Sequence, residues 1–209
     1  MATASDSAYR VEHPVKGNRR ILAAYCSEMP DRFRRDEVTY QFSACVLGTV
    51  LVAQTATGVC AVLFGDSEQE LVEELRSRTR GAELQVSQTG SGPTGSGQTA
   101  TTAAGAVVAL IGNPAEDVHV QLDIRGTEFQ QKVWQQLLAI PCGSTMSYSQ
   151  VAAAIGQPTA ARAVAGACSA NPIAVVIPCH RVIAADGGLG GYRWGIERKL
   201  RLLQAEQSA

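Results

Sequence analysis

The chain has few aromatic residues, few charges and no long apolar run. Only 5% of its 209 residues are aromatic and 18% are charged. No apolar run approaches the ~20 residues needed to span a bilayer. No apolar stretch follows a basic start, so a secretory signal is not expected. With 45% hydrophobic residues, the composition is typical of a soluble globular protein with its own core.

The cysteines lack the spacing of a metal or redox motif. No C-x-x-C pair occurs, and a disulfide scaffold of this length would be denser in cysteine. We therefore expect free thiols, a reducing compartment and no metal site. The six cysteines are Cys26, Cys45, Cys60, Cys142, Cys168 and Cys179.

The net charge of −1 conceals an asymmetry along the chain. Residues 1–122 carry a net charge of −4, and residues 123–209 carry +3. The second part is therefore the better candidate for binding an anion. The excess is modest, and alone it indicates nucleic acid only weakly.

A low-complexity segment of Gly, Ser, Thr, Ala and Gln covers residues 88–106. Such a composition is typical of a flexible insertion. Alternating apolar residues before it predict strands at 40–46, 48–53 and 58–64. A further strand is expected after it, at 118–123, so the segment interrupts one small α/β unit. Between the third strand and the insertion, Leu71, Val72 and Leu75 mark one face of a helix.

From Gly126 onward the apolar period changes to 3.6, which predicts helices. Two capping boxes, at residues 127–130 and 147–150, mark the starts of two of them. The first helix has a buried stripe and ends before Pro141. The stripe is Phe129, Val133, Trp134, Leu137 and Leu138.

The second helix, 148–155, is short and ends at Gly156, where a left-handed residue closes a helix. A third helix is expected over 159–169. This pair has the layout of a helix-turn-helix, although an ordinary αα-corner fits the pattern equally well. In the third helix Arg162 is the one charged residue and the others are small. A smooth face of this kind suits the minor groove of DNA, but it also suits tight packing inside the protein.

Cys179 is the cysteine most suited to chemistry. It follows Pro178, which stiffens the backbone, and it precedes His180, which can take its proton. Arg181 is expected to favour the thiolate. Adjacent residues of an extended chain point in opposite directions, so a local turn must bring the thiol and imidazole together.

The last predicted helix, 196–206, supplies a candidate acid for a triad with Cys179 and His180. Ile196, Leu200 and Leu203 are expected to form its inner face, and Glu206 falls on the same side. Glu206 can therefore orient His180, which in turn activates Cys179. On the sequence pattern alone, the alternative is that Glu206 is an exposed residue near the helix end and contacts only solvent.

The segment Pro178–Val182, with the sequence PCHRV, resembles the active-site motif of the O6-alkylguanine-DNA alkyltransferases. The segments IRGTEFQQKVW, IPCGSTMSY, ARAVAGACSANPIAVV and GGYRWGIERK resemble the same family. The resemblance extends from about Phe42 to Glu206, apart from the insertion, and is strongest to the C-terminal half of the bacterial Ada protein. It implies an α/β N-terminal domain, with a ribonuclease H-like small sheet and helix. A mainly α C-terminal domain with a winged helix-turn-helix would follow.

The resemblance also implies domain boundaries. Residues 1–40 would be an N-terminal extension, a candidate remnant of a regulatory module. Residues 41–122 would be the small α/β domain, interrupted at 88–106. Residues 123–209 would be the DNA-binding and alkyl-acceptor domain.

The implied activity is DNA repair in which the alkyl group of O6-alkylguanine, and of O4-alkylthymine, moves irreversibly to Cys179. Each molecule would act once, after binding the minor groove and flipping the nucleotide. No cofactor or metal is implied. The implied partner is double-stranded DNA, bound largely without regard to sequence by a monomer, in the bacterial cytoplasm or a eukaryotic nucleus.

The resemblance assigns roles residue by residue. Cys179 corresponds to the alkyl acceptor, His180 to a water-bridged base and Glu206 to its orienting acid. Asn171 corresponds to an asparagine that braces the cysteine loop. Tyr148 corresponds to a tyrosine that helps to rotate the nucleotide.

Further residues are assigned to DNA and to the guanine pocket. Arg162 corresponds to the finger that fills the gap in the base stack. The DNA-binding set is Arg162, Ala161, Tyr148, Gly166 and Ser169. The pocket set is Val182, Tyr192, Arg193 and Cys168.

Two alternatives stay open from the sequence. A lesion-recognition or regulatory protein would bind alkylguanine in DNA without repairing it, and Cys179 argues against this. A Cys-His-Glu hydrolase has the same residue types, but no hydrolase signature is present.

Overall fold

The computed structural model describes residues 9–14, 20–26, 36–87, 102–114 and 118–208. Seven strands form one mixed sheet in the order β1-β2-β7-β5-β4-β3-β6. The strands of this sheet are β1 (Tyr9–Pro14), β2 (Arg20–Cys26), β3 (Glu37–Cys45), β4 (Gly48–Gln54), β5 (Val59–Gly65), β6 (Glu83–Val86) and β7 (His119–Arg125).

The centre of the sheet is an antiparallel meander of β3, β4 and β5. The three strands predicted for this region are confirmed, as is the strand after the insertion, β7. β7 runs parallel to both of its neighbours, β5 and β2. Every residue from Val59 to Phe64 is buried, because a central strand is covered on both faces.

Residues 9–14 and 20–26 pair as antiparallel strands, and β2 continues the sheet beside β7. These strands lie inside the segment 1–40 that the sequence pattern assigned to an extension. The strand β7 also crosses the proposed boundary at residues 122 and 123. The three domain ranges remain predictions.

Two helices of the described ranges pack on this sheet, and the sheet and these helices together form the sheet unit. Helix α1 (Glu68–Arg78) begins at Ser67, whose hydroxyl accepts from the backbone N–H of Glu70. Helix α2 (Ala103–Gly112) begins at Thr102, whose hydroxyl accepts from Gly105. The prediction of a flexible insertion is therefore wrong for residues 102–106, because Ala104 and Ala106 there are buried in the core. The segment 88–101 lies outside the described residues.

The second half of the chain is mainly helical. Both predicted capping boxes are present, at the starts of α3 and α4. Gly156 has φ +75°, as expected for the end of α4. Helix α5 begins two residues later than predicted. The helices are α3 (Glu128–Leu138), α4 (Tyr148–Ala154), α5 (Ala161–Ser169) and α6 (Ile196–Gln207), and the short strands β8 (Met146–Ser147) and β9 (Val182–Ile183) pair in parallel.

The inner face predicted for α6 is wrong for Ile196 and Leu200 and right for Glu206. Ile196 and Leu200 are each more than 40% exposed, whereas Lys199, Leu202 and Glu206 are buried. Both sets fit a helical repeat. Lys199, Leu202 and Glu206 face inward because the Lys199 amine and the Glu206 carboxylate find hydrogen-bond partners in the interior.

The chain between Asn171 and Pro178 joins the two halves. The backbone N–H of Val62 in β5 donates to Pro172 (2.9 Å), and Ala174 donates to the carbonyl of Val62 (3.0 Å). The expected apolar strand is reduced to this single bridge. The chain then turns, and Val175 takes φ +66°, which is rare for a β-branched residue. This turn places the next segment, with Cys179, between α3, α5 and α6.

Within the described ranges, no helix is both long enough and apolar enough to cross a bilayer.

Candidate active site

Cys179 opens a 3-10 helical turn, Cys179–Arg181. This is the local turn that the Cys-His sequence required. The residue is 5% exposed. The side-chain amide of Asn171 donates to the sulfur (3.2 Å) and to the carbonyl of Ile177 (2.9 Å), while its oxygen accepts from the backbone N–H of Ile173 (2.9 Å). Asn171 thus holds the loop on both sides of Pro178 and contacts the sulfur.

Burial raises the pKa of the Cys179 thiol to about 11, although the hydrogen bond from Asn171 and the charge of Lys199 act in the opposite direction. The sulfur therefore carries its proton at neutral pH. A thiolate is the nucleophilic form, so reaction needs a base nearby.

His180 is fully buried and paired with Glu206. Its Nε2 lies 2.8 Å from Oε1 of Glu206. The other ring nitrogen, Nδ1, is buried and has no hydrogen-bond partner among the described residues. Burial lowers the pKa of His180, against the effect of the Glu206 hydrogen bond and charge. A neutral imidazole with Nε2–H on the carboxylate leaves Nδ1 as a proton acceptor.

Glu206 lies at the centre of this network. Arg181 donates to both carboxylate oxygens, and the backbone N–H of Gly143 donates to Oε2 (3.1 Å). Burial alone would raise the pKa of Glu206, but hydrogen bonds from His180 and Arg181, and their charges, lower it to about 2. The carboxylate is therefore ionised and fixed in place.

The expected effect of Arg181 on the thiolate is not seen. Its guanidinium faces Glu206 and the carbonyl of Ile140 (2.6 Å). The cation that acts on Cys179 is Lys199. Arg181 instead binds the carboxylate that orients His180.

Lys199 is a site residue that the sequence pattern missed. Its amine is buried and donates to the carbonyls of Val182 (2.6 Å) and Leu189 (2.5 Å). A buried amine with carbonyl partners is satisfied without a counter-ion. The one sign of it in the sequence is that Lys199 falls on the same helical side as Leu202 and Glu206. Leu200 and Leu203 indicate a different inner side, which does not include Lys199.

Tyr148, Cys168 and Tyr192 lie around the sulfur. Burial raises the pKa of each, and the Cys179 thiolate raises each pKa further. A Cβ on Gly190 would come within 3.0 Å of the Tyr148 hydroxyl, so a glycine there lets the loop approach the ring. The Tyr192 hydroxyl is buried, and no described residue forms a hydrogen bond with it.

Val182 and Arg193, which were predicted for the pocket, both have partners elsewhere in the structure. Val182 is buried, and its carbonyl accepts from Lys199. The guanidinium of Arg193 is directed to helix α1, where its Nε lies 2.9 Å from Glu74. The carboxylate of Glu74 thus holds the Arg193 side chain at α1, and the place of residues 192 and 193 in the pocket stays a prediction.

Helix α5 presents small residues and one arginine to solvent. Arg162, Gly166 and Ser169 are exposed, and Ala161 is half-buried. Val164, Ala167 and Cys168 face inward, and the carbonyl of Ala167 accepts from the indole of Trp134 (2.9 Å). The tight-packing alternative therefore describes one side of α5, and the other side is open.

The arrangement is suited to a single proton transfer and a nucleophilic attack. The thiol of Cys179 becomes a nucleophile once a base takes its proton; Nδ1 of His180, the next residue in the turn, is the candidate base, and Glu206 is placed to stabilise an imidazolium. Among the described residues, no group of His, Cys, Asp or Glu is placed to hold a metal ion.

Residues 128–208 match the family model described as the 6-O-methylguanine DNA methyltransferase DNA-binding domain. The bifunctional transcriptional activator/DNA repair enzyme Ada of Escherichia coli is 45% identical over 174 residues, which cover 81% of this chain and 45% of that protein. The methylated-DNA–protein-cysteine methyltransferase of Mycobacterium leprae is 58% identical over 88 residues, 42% of this chain and 53% of that protein. The chain thus spans about half the length of these curated relatives.

Solved structures show the same arrangement of a mixed sheet and helices. The crystal structure of the Mycobacterium tuberculosis O6-methylguanine methyltransferase is 35% identical, with a TM-score of 0.62, and the match covers 82% of this chain and 93% of that chain. The structure of M. tuberculosis OGT in complex with DNA has 34% identity, a TM-score of 0.62 and the same coverage. Since the likeness in sequence and structure extends over nearly all of a solved relative, this chain belongs to the O6-methylguanine-DNA methyltransferase family.

Proposed function

We propose that the chain repairs DNA by moving the alkyl group of O6-alkylguanine to Cys179 in a single turnover. The observation that carries this proposal is the buried sulfur held by Asn171, in a turn whose next residue, His180, has an Nδ1 with no hydrogen-bond partner among the described residues. The relatives named methylated-DNA–protein-cysteine methyltransferase support the same substrate and acceptor.

The proposed reaction balances without a cofactor. The thiol proton passes to Nδ1 of His180 through a bridging water, and Glu206 stabilises the imidazolium. The sulfur attacks the alkyl carbon, an S–C bond forms, and the C–O6 bond breaks. The departing guanine takes a proton back, so that the products are guanine and an S-alkylcysteine. A thioether is not hydrolysed, which limits each molecule to one reaction.

The raised thiol pKa has a role in this scheme. A sulfur with a pKa of about 11 is inert towards bulk electrophiles at neutral pH. Proton transfer to His180 becomes favourable when an alkylguanine occupies the space beside Tyr148 and Tyr192. Their hydroxyls are side-chain donors available to the base, and that of Tyr192 has no other partner within the described part of the chain.

DNA binding is assigned to the open face of α5. We propose that α4 and α5 form a winged helix-turn-helix whose small residues enter the minor groove, and that the sheet unit is ribonuclease H-like. Arg162, on the open face, would fill the gap left by the flipped nucleotide. The OGT structure solved in complex with DNA supports DNA as the ligand. One copy of the chain is sufficient for this chemistry. It would act in the compartment that holds the DNA.

The experiment mixes the protein with a duplex carrying O6-methylguanine and determines the masses of both products. One methyl group is expected on the peptide that contains Cys179, with unmodified guanine in the DNA. With excess lesion, transfer should stop at one equivalent. Cys179→Ala should bind the duplex and transfer nothing, whereas Cys45→Ala, which removes a half-buried thiol on β3, should react like the parent.

A second candidate is a protein that recognises alkylguanine in DNA without repairing it. The observation in its favour is the high pKa of Cys179. Tight binding to the modified duplex with no change in either mass would support this candidate and refute the transfer. Continued turnover beyond one equivalent would refute both.

A further inference from the structure

The loop of residues 185–195, here called the pocket loop, has little rigidity of its own. Gly187, Gly190 and Gly195 have φ values of +84°, +65° and +98°. Ordering a glycine-rich segment is costly in conformational entropy. Its position against Tyr148 therefore depends on the contacts that hold it.

Three cationic side chains hold the pocket loop. Lys199 binds its inner side through the carbonyl of Leu189. On the outer side, Arg198 donates to the carbonyl of Trp194 (2.9 Å) and pairs with Asp66 (2.8 Å). Arg193 pairs with Glu74 of α1, with 2.9 Å between Nε and Oε1. The two outer contacts thus reach the sheet unit.

Glu74 differs from Asp66 in two respects. The Glu74 side chain is 22% exposed and that of Asp66 is 90% exposed, so the Glu74 pair is less screened by water. Glu74 also binds a second arginine, Arg78, at 2.9 Å to Nε and 2.8 Å to Nη2. Arg78 in turn donates to the carbonyl of Ala170 (3.4 Å).

These contacts connect two parts of the site, the pocket loop and the end of α5. Ala170 ends α5 and directly precedes Asn171, whose amide contacts the sulfur. Arg193 belongs to the pocket loop. Arg78 and Arg193 carry like charges, and the carboxylate of Glu74 lies between them. Without this carboxylate the two guanidiniums would repel each other.

We propose that Glu74 is a positioning residue of the alkyl-transfer site. Its carboxylate fastens the pocket loop through Arg193 and the end of α5 through Arg78, so the sheet unit supports the site from outside. The inference rests on the proposed function for its effect on rate, but the fastening itself is a property of the free protein.

The test compares Glu74→Gln with Glu73→Gln, a matched charge change on an exposed neighbour in α1. Hydrogen exchange of the full chain, without DNA, is followed by mass spectrometry. Glu74→Gln should speed exchange about two- to fivefold at residues 188–195 and 169–171, as expected for the loss of pairs of this strength. Glu73→Gln should leave both segments unchanged.

A second variant, Arg193→Gln, leaves α1 intact. It should speed exchange at residues 188–195 and leave residues 169–171 unchanged, because the contact of Arg78 with Glu74 persists. With saturating O6-methylguanine duplex, Glu74→Gln should lower the first-order transfer rate about three- to tenfold. Its affinity for undamaged duplex should change less than about twofold, since the open face of α5 is untouched.

Unchanged exchange in both Glu74→Gln and Arg193→Gln would overturn the proposal, whatever the transfer rates. Faster exchange with an unchanged transfer rate would show that the contacts exist but do not position the site, and would also overturn it. A parent protein that transfers nothing would refute the proposed function, and the exchange comparison would still decide whether Glu74 fastens the loop.

Discussion

The most consequential residues of this protein are a buried neutral imidazole and three buried charges. His180, Arg181, Lys199 and Glu206 are each at most 6% exposed. A buried charge is tolerated only when it is paired or fully hydrogen-bonded. Glu206 meets this condition with a histidine, an arginine and a backbone N–H, and Lys199 meets it with backbone carbonyls. These contacts join α6 to the cysteine turn.

Glu206→Gln should lower the free energy of unfolding by about 3 kcal/mol at pH 7, because Arg181 would keep its charge without its ionic partner. The pKa of Glu206 is lowered from 4.5 to about 2. The stabilisation by the carboxylate is therefore complete above pH 4.5 and is lost as the pH falls towards 2. Urea unfolding from pH 7 to pH 2 measures the difference between parent and variant, which should shrink below pH 4.5.

Glu197→Gln on the same helix is the control. That carboxylate is 77% exposed and pairs with Arg201, so its removal should change stability by less than about 0.5 kcal/mol. A Glu206→Gln effect that stays constant over the whole acid range would contradict the assigned ionic role.

At the scale of elements, capping residues near in sequence set where α3 and α4 begin. Contacts with residues distant in sequence decide which side of a helix is buried. Thr127 and Ser147 cap their helices because both bonds of a capping box form within four residues. Such contacts can be predicted from a short stretch of sequence. The inward side of α6 could not, because two stripes fit the same repeat and distant backbone carbonyls select one of them.

Gly166→Ala should separate the stability of α5 from its function. A Cβ there meets nothing within 4 Å, and alanine replaces glycine within an exposed helix face, so stability should rise by up to about 1 kcal/mol. If α5 enters the minor groove, the added methyl should weaken binding to duplex DNA. Thermal unfolding and DNA titration measure the two effects.

Gly156→Ala is the matched comparison. A Cβ at Gly156 also meets open space, but its φ of +75° is unfavourable for alanine, so stability should fall by about 1 kcal/mol. Stronger DNA binding by Gly166→Ala would contradict the proposed use of the small-residue face.

At the scale of the whole molecule, the sheet unit and the helical half are bound together by backbone and side-chain contacts. Val62 of β5 exchanges two backbone hydrogen bonds with residues 172 and 174. Arg198 of α6 donates to the carbonyl of Leu47 (2.9 Å), in the turn between β3 and β4. Phe64 and Trp194 pack edge to face, with ring centroids 6.3 Å apart. These contacts favour unfolding as one unit.

Thermal unfolding should therefore be a single transition. The far-ultraviolet circular dichroism reports the sheet and helices together, and fluorescence reports Trp134 and Trp194 in the helical half. The two midpoints should coincide within error, because neither half keeps its core when the other unfolds. A fluorescence transition separated by several degrees from the dichroism transition would show that the halves unfold independently.

The residue sequence was sufficient for features that depend on neighbours along the chain. These include the β3–β5 meander, both capping boxes, the left-handed Gly156 and the helix that carries Glu206. Through the PCHRV motif it also indicated Cys179 and His180 as site residues, and their roles stay predictions. Local hydrogen bonds and side-chain period explain this success, because they act over a few residues.

Contacts between distant residues settled the rest. The first turn of helix α2 forms from a segment of low complexity because the apolar face of the helix is buried in the core. Lys199 is buried because carbonyls of β9 and the pocket loop converge on its amine, and Arg193 faces outward because Glu74, 119 residues earlier, lies beside it. The free energy of such pairs depends on geometry and burial, which arise only when the chain has folded.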